Sequence, residues 1–194
     1  MVHLVTGGSG SGKSAYAEEQ ILELGEGRRI YLATMQPGDE ETLARIAKHR
    51  EMRKDKAFET IERTDTLETL EIPDDSIVLL ECVSNLVANE MFLPGKSGIH
   101  AVSAVIDGIE HIRRHAKHLV IVTNEVFSSG VHYGGMTRVY LEFLGIINQH
   151  LGRTADLVTE VVYGIPIPVK RPGMGIIRQD MLFKEGYFPE GTVR

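Results

Sequence analysis

Eight consecutive residues near the start of the chain, Gly7, Gly8, Ser9, Gly10, Ser11, Gly12, Lys13 and Ser14, have the types and spacing that phosphate chemistry needs. They fit G-x-x-x-x-G-K-[S/T]. Glycines let the backbone wrap so that amide N–H groups point at phosphate oxygens, and a following helix N-terminus adds positive potential. Lys13 can then reach the β and γ phosphates, and Ser14 can ligate Mg²⁺. The context makes the motif specific: Val2 to Val5 reads as a strand, and Ala15, Ala17, Ile21, Leu22 and Leu24 recur at helical spacing up to Gly25. Binding of a nucleoside triphosphate follows.

A second chemical signal is Glu81, which ends the apolar run Ile77 to Leu80. An acid at the carboxyl end of a buried parallel strand is well placed to hold or orient a phosphate-bound metal; it is equally the description of a solvated strand-end carboxylate. Asn124 and Glu125 follow the run Leu119 to Thr123 and are expected at the same edge. Of eight histidines, His111, His115 and His118 have a zinc-like spacing, but Arg113, Arg114 and Lys117 beside them would repel a cation, so a solvated helix end is expected. His3, His100, His132 and His150 show no partner pattern and are expected at the surface or in loops. His49 lies among Arg45, Lys48, Arg50 and Arg53, a neighbourhood that suits a phosphate and is also what a basic solvated helix face looks like.

The elements that must position these groups can be read from periodicity. Arg28 to Ala33 reads as a strand, Glu40 to about Lys54 as an amphipathic, mostly solvated helix with Leu43, Ile46 and Ala47 on one face, and Phe58 to Ile61 as a short strand. Ser76 to Glu81 is a strand buried on both faces. Helices are expected over Asn85 to Phe92, Ala101 to Ala116 and about Thr137 to Leu151. Strands are expected at Leu119 to Thr123, Leu157 to Tyr163 and in the Pro-rich segment that follows. Strands alternating with helices predict an α/β fold: a mostly parallel central sheet with helices on both faces. Residues 1–170 then form one nucleotide-binding catalytic domain, with 171–194 as an appendage.

Composition narrows the class. The 194 residues are 42% hydrophobic and 25% charged, as in ordinary globular chains. A net charge of −6 gives no positive field for a polyanion, which argues against general nucleic-acid binding. The single cysteine, Cys82, cannot form an internal disulfide, and no apolar stretch approaches the roughly 18 residues of a membrane span. A cytoplasmic, unprocessed protein without membrane insertion is expected.

Several segments together resemble one family. GGSGSGKS, YLATMQPGDEETLARIAKHR, LLECVSNLVANEMF, VIVTNEVFSSG and INQHLGRTADLVTEVVYGIPIPVK are similar, in order and spacing from about Met1 to Lys170, to the bifunctional adenosylcobinamide kinase / adenosylcobinamide-phosphate guanylyltransferases of cobalamin biosynthesis. The resemblance implies a RecA-like P-loop NTPase fold, a homotrimer, Mg²⁺, and GTP and ATP as substrates beside adenosylcobinamide and its phosphate. It makes His49 the residue that becomes covalently guanylylated, with Lys13 assisting. It carries nucleotide contacts to Gly7 through Ser14, to Ala33, Thr34 and Met35, to Arg50, Glu51, Met52 and Arg53, and to Glu62 and Glu81, with Ser14 and Glu81 toward the metal. The histidine helix is expected to move on GTP binding about Pro37-Gly38.

The segment Gly130 to Gly145 departs from the family pattern F-R-D-x-x-G-x-x-N-Q, retaining chiefly Gly145 and the following Asn148 and Gln149, and the tail after Lys170 exceeds the family's usual end. A transferase without kinase activity, a RecA-like ATPase module and a generic P-loop small-molecule kinase are the alternatives.

Overall fold

The computed structural model describes residues 1–173 apart from Ser97, Ser129, Val131 and His132, with the side chains of Glu41 and Met52 also excluded. His132 and the tail beyond Gly173 thus lie outside the described residues. The chain runs β1 (Val2–Thr6), α1 (Lys13–Glu23), β2 (Arg28–Ala33), α2 (Glu40–Arg53), β3 (Glu59–Glu62), β4 (Ser76–Glu81), α3 (Val83–Phe92), α4 (Ala101–His115), β5 (His118–Val122), α5 (Gly135–Thr154), β6 (Leu157–Val162) and β7 (Ile165–Lys170). The strands form one sheet in the order β3-β2-β4-β5-β1-β6-β7. All neighbours are parallel except the terminal β6-β7 hairpin.

Alternation along the buried strands sends side chains to opposite faces. Val5, Tyr31, Ile77, Leu79, Val120 and Val122 meet Ala17 and Ile21 of α1 on one face. Leu4, Ile30, Leu32, Val78, Leu80, Leu119 and Ile121 meet α3, α4 and α5 on the other. The expected α/β sandwich is present. α3 starts two residues before the expected Asn85, and β3 is shifted one residue along from the expected Phe58 to Ile61.

α2 is the exception. Asp39 precedes it as the N-cap, its carboxylate accepting the Thr42 N–H at 2.9 Å. Leu43, Ile46 and Ala47 join neither core cluster; Leu43 is half exposed, and Leu43 and Ile46 line a cleft. Polar tethers hold the far end of α2 and the turn after it. Arg53 lies 3.3 Å above the Tyr31 ring, and Lys56 reaches the fully buried Glu18 of α1 at 2.6 Å. Removing Lys56 would strand a carboxylate in the interior, at a cost of about 3–5 kcal/mol.

His3 corrects an expectation. It is buried on β1, with Nε2 and Thr159 Oγ1 hydrogen-bonded at 2.9 Å, because an inward position on a parallel strand leaves no surface to reach. Burial holds its pKa below the usual 6.5. The unfolded chain therefore binds more protons than the folded one below about pH 6.5, so stability is full above that value and falls as pH drops through the window beneath it. We expect urea titrations to show a His3→Gln variant losing less stability than wild type between pH 7 and 5.5, with one proton contributing at most about 1.4 kcal/mol per pH unit. Identical pH slopes would contradict this.

The other histidines lie as follows. His100 is exposed at the start of α4 and His150 sits on α5, 4.0 Å from Glu110. The α4 helix ends at His115, so His118 belongs to β5 and not to the helix. His111 and the Leu70 carbonyl are hydrogen-bonded at 2.9 Å, and His115 and the His111 carbonyl at 2.8 Å.

Candidate active site

The P-loop leaves β1 at Gly7 and enters α1 at Lys13. At Gly7 a Cβ would lie 2.5 Å from the Val161 carbonyl oxygen, and at Gly12, with φ +92°, 3.3 Å from Gly164 Cα. Only glycine permits both approaches. The turn between β6 and β7 braces the loop, with the Gly164 N–H donating to the Ser11 carbonyl at 2.8 Å. Among the described residues no side chain caps α1, so its first N–H groups are left for the loop side.

Above this loop is a cleft of about 560 Å³, the size of a nucleotide site. The P-loop forms one wall and α2 faces it with Arg45, Lys48, His49, Arg50 and Arg53. Ala33, Met35 and Glu62 come from the ends of β2 and β3, Glu81 and Asn124 from the ends of β4 and β5, and Asn85 from the first turn of α3. The parallel sheet therefore delivers its candidate residues to one carboxyl edge, as expected.

Glu81 is the electrostatic centre. It is buried; one carboxylate oxygen accepts from the Ser14 hydroxyl and the other from the Tyr31 hydroxyl at 2.7 Å. His49 Nδ1 stands 3.7 Å from the oxygen that Ser14 also contacts, a separation just beyond a hydrogen bond, and Nδ1 is buried without a partner among the described residues. The histidine thus already sits over the P-loop side of the cleft. Lys13 is also buried, its ammonium donates to the Gly8 carbonyl at 3.0 Å, and desolvation holds its pKa below the usual lysine range.

Some expected contacts are not brought together. Thr34 is fully buried: its hydroxyl donates to the Cys82 carbonyl and accepts the Cys82 N–H, both at 2.8 Å, while its own N–H and carbonyl are bonded to Glu81 and Asn89. It has no group left for a nucleotide, because it joins the ends of β2 and β4. Glu51 is 76% exposed and faces Lys54 at 3.7 Å, not the cleft. The Met52 side chain is outside the described residues. Gly7 and Gly8 shape the loop without lining the cleft themselves. Arg50 is paired with Glu62, both largely exposed, whereas Arg53 is buried with Nε and one Nη unpartnered among the described residues. Glu125 serves its own loop, accepting the N–H groups of Phe127 and Ser128.

Tyr31 was not legible as a site residue, since within RRIYLA it reads only as a strand former. Burial and the adjacent Glu81 push its phenol pKa far up, so it remains a donor. Replacing Tyr31 by Phe keeps the platform under Arg53 and removes the hydrogen bond to Glu81. The expected result is a several-fold weaker response to added divalent cation in nucleotide-turnover assays with little loss of nucleotide affinity; an unchanged metal titration would show that Glu81 is oriented without it.

Ser14 and Glu81 are hard oxygen donors, which suits Mg²⁺, an ion that takes few protein ligands and completes its shell with water and substrate phosphates. The sheet, loop and acid define a P-loop nucleotide-binding enzyme of the RecA-like class. The family model for cobinamide kinase / cobinamide phosphate guanyltransferase matches residues 3–169, and the chain belongs to that family. It is 35% identical over 183 residues to the bifunctional adenosylcobalamin biosynthesis protein CobU of Salmonella typhimurium and 36% identical over 184 residues to that of Escherichia coli. Each alignment covers 88% of this chain and all of the relative. The bifunctional adenosylcobalamin biosynthesis protein CobP of Pseudomonas aeruginosa is 28% identical over 173 residues, spanning 88% of this chain and 98% of that protein. Among solved structures, a prototypical ATPase from the type III secretion system of pathogenic bacteria superposes with a TM-score of 0.51 at 11% identity, covering 82% of this chain and 51% of that one, a likeness of fold alone.

Proposed function

We propose that this chain transfers GMP from GTP to adenosylcobinamide phosphate through a guanylyl group carried on His49, forming adenosylcobinamide-GDP, and phosphorylates adenosylcobinamide with ATP or GTP, in the assembly of the cobalamin nucleotide loop. The observation that carries this reading is the placement of the His49 ring on the cleft wall that faces the P-loop, with Nδ1 3.7 Å from Glu81. A carboxylate on the Nδ1 side favours the tautomer with its proton there and leaves the Nε2 lone pair free. It also stabilises the positive ring formed on attack.

The Nε2 lone pair forms a bond to the α-phosphorus of GTP, and the bond from that phosphorus to the α,β-bridging oxygen breaks, its electrons leaving on pyrophosphate. Lys13 and the loop N–H groups hold the departing phosphates, and Arg53, a cleft-lining residue with Nε and one Nη unpartnered among the described residues, supports the equatorial oxygens. A phosphate oxygen of adenosylcobinamide phosphate then attacks the same phosphorus, breaking the N–P bond and returning the neutral imidazole. Ser14 and Glu81 are the residues that would hold Mg²⁺, which when bound neutralises charge on the phosphates.

We also read the catalytic unit as residues 1–170, the protein as cytoplasmic, and the assembly as a homotrimer. Ile165, Ile167 and Val169 project exposed from edge strand β7, which supports coverage by another copy. Incubation with Mg²⁺ and GTP followed by intact-mass measurement tests the central step. An acid-labile increment the size of GMP is expected, and adding adenosylcobinamide phosphate should discharge it to adenosylcobinamide-GDP. GTP bound without an increment would leave a P-loop kinase or ATPase.

A further inference from the structure

The side of the cleft formed by the ends of β4 and β5 has a built polar surface that the guanylyl step does not use. β5 lies between β1 and β4 in the sheet, so the residues just past its end stand between the P-loop and Glu81. Two backbone bonds at 3.0 Å continue the β1-β5 pairing there, Thr123 N–H to the Val5 carbonyl and Glu125 N–H to the Gly7 carbonyl. Asn124 falls between them and lines the cleft.

The Asn124 carboxamide is fixed by half. Its Nδ2 donates to Ser84 Oγ at 2.5 Å, and Ser84 Oγ is also 3.0 Å from the buried Cys82 Sγ. Its backbone is held from α5: the Thr123 hydroxyl donates to Asn148 Oδ1 at 2.7 Å, and Asn148 Nδ2 donates to the Asn124 carbonyl at 3.4 Å. The Tyr140 hydroxyl steadies Ser84 through its carbonyl at 3.3 Å. The other half of the carboxamide, Oδ1, has no partner among the described residues. Neighbouring Asn85 also lines the cleft, half-buried, with its carboxamide unpartnered among the described residues. A polar atom held rigid at one end and left open at the other is preorganised for a ligand.

We propose that Asn124 and Asn85 form the alcohol-acceptor subsite of the kinase reaction, receiving the pendant hydroxyl of cobinamide beside the terminal phosphate of the nucleotide. This rests on the family reading above and adds the residues that recognise the acceptor. Asn124 Oδ1 accepts the hydroxyl hydrogen and aims the oxygen, and the Asn85 carboxamide bonds the amide-bearing chain next to it. In the step itself the hydroxyl oxygen forms a bond to the γ-phosphorus. The bond from that phosphorus to the β,γ-bridging oxygen breaks with its electrons on the nucleoside diphosphate, and the hydroxyl proton passes to an oxygen of the transferred phosphoryl group. The interaction explains a role for Asn148 without substrate contact: it positions Thr123 and Asn124, so this part of the family pattern retains a function although Gly130 to Gly145 diverges.

The test is steady-state phosphorylation of cobinamide by Asn124→Leu and Asn85→Ala variants, with GTP-dependent guanylylation of His49 measured by mass on the same preparations. The expected result is a rise in KM for cobinamide of about tenfold in each, with KM for the nucleotide changed less than about threefold and the guanylyl adduct still formed. The Asn85 side chain takes no part in the fixing network among the described residues, so its variant reports on the subsite even if Asn124→Leu folds poorly. An unchanged cobinamide KM in Asn85→Ala and in folded Asn124→Leu, with the adduct intact, would overturn the subsite alone. Wild-type protein that phosphorylates no cobinamide would overturn the kinase reading and the subsite together.

Discussion

Replacing His49 by Ala is expected to abolish the acid-labile GMP adduct of the proposed mechanism and to lower guanylyl transfer to adenosylcobinamide phosphate by about a thousandfold or more, the order expected when a covalent nucleophile is deleted. GTP binding persists, because the P-loop N–H groups and Lys13 do not depend on this ring. The side chain is only partly buried and its Nδ1 lacks a hydrogen bond among the described residues, so truncation opens little cavity and strands no partner there. Phosphorylation of cobinamide continues in this variant, since attack on the γ-phosphorus needs no enzyme-bound intermediate. The informative readout is therefore the ratio of the two activities with the mass of the protein. An adduct that survives in His49→Ala would move the nucleophile elsewhere; loss of both activities together would mean that the α2 wall shapes the nucleotide site as a whole.

Replacing Lys13 by Ala acts differently: both reactions fall, each by about a hundredfold to a thousandfold, as when one preorganised donor to developing charge is lost. On the proposed mechanism the ammonium faces the departing pyrophosphate in guanylyl transfer and the bond between β and γ phosphates in phosphoryl transfer. Its environment makes this strong. Lys13 is 9% exposed, and the desolvation that depresses its pKa is relieved when an anion arrives. Lys13→Arg is not expected to restore the rate, because a planar guanidinium fork does not reproduce the compact ammonium that reaches the Gly8 carbonyl at 3.0 Å. Kinetics of both reactions on the purified variant check this. If either activity kept its wild-type rate, the two chemistries would not share one P-loop.

Much of the machinery was readable because it is local. Gly7 through Ser14 follow each other in sequence, so strand, loop and helix N-terminus can be assembled from spacing alone, and the apolar run before Glu81 announces a buried strand with an acid at its end. Residues whose role depends on a distant neighbour were less legible. Thr34 follows β2 just as Ala33 ends it and was expected to touch nucleotide, yet pairing of β2 with β4 consumes all its polar groups. His3 gave no sign of burial, because a lone imidazole in a short strand matches no pattern. Tyr31 and Asn85 carried no motif, and Asn124 only a position.

By itself the amino-acid sequence determined a P-loop α/β protein with a triphosphate site, and its ordered similarity to one family singled out His49. Helical and strand periodicities, glycine placement and the loop motif are short-range consequences of backbone sterics and side-chain burial, so they survive without the rest of the chain. Only the tertiary structure decided that Glu81 takes hydrogen bonds from both Ser14 and Tyr31, that Arg53 rests on Tyr31, that α2 lies outside both cores over the cleft, and that Ser84 and Asn148 hold Asn124 from opposite sides. Those contacts join residues far apart in sequence, and strand order sets which of them meet. Strand order follows from how each buried face finds its partner, a property of the whole chain that no local spacing encodes.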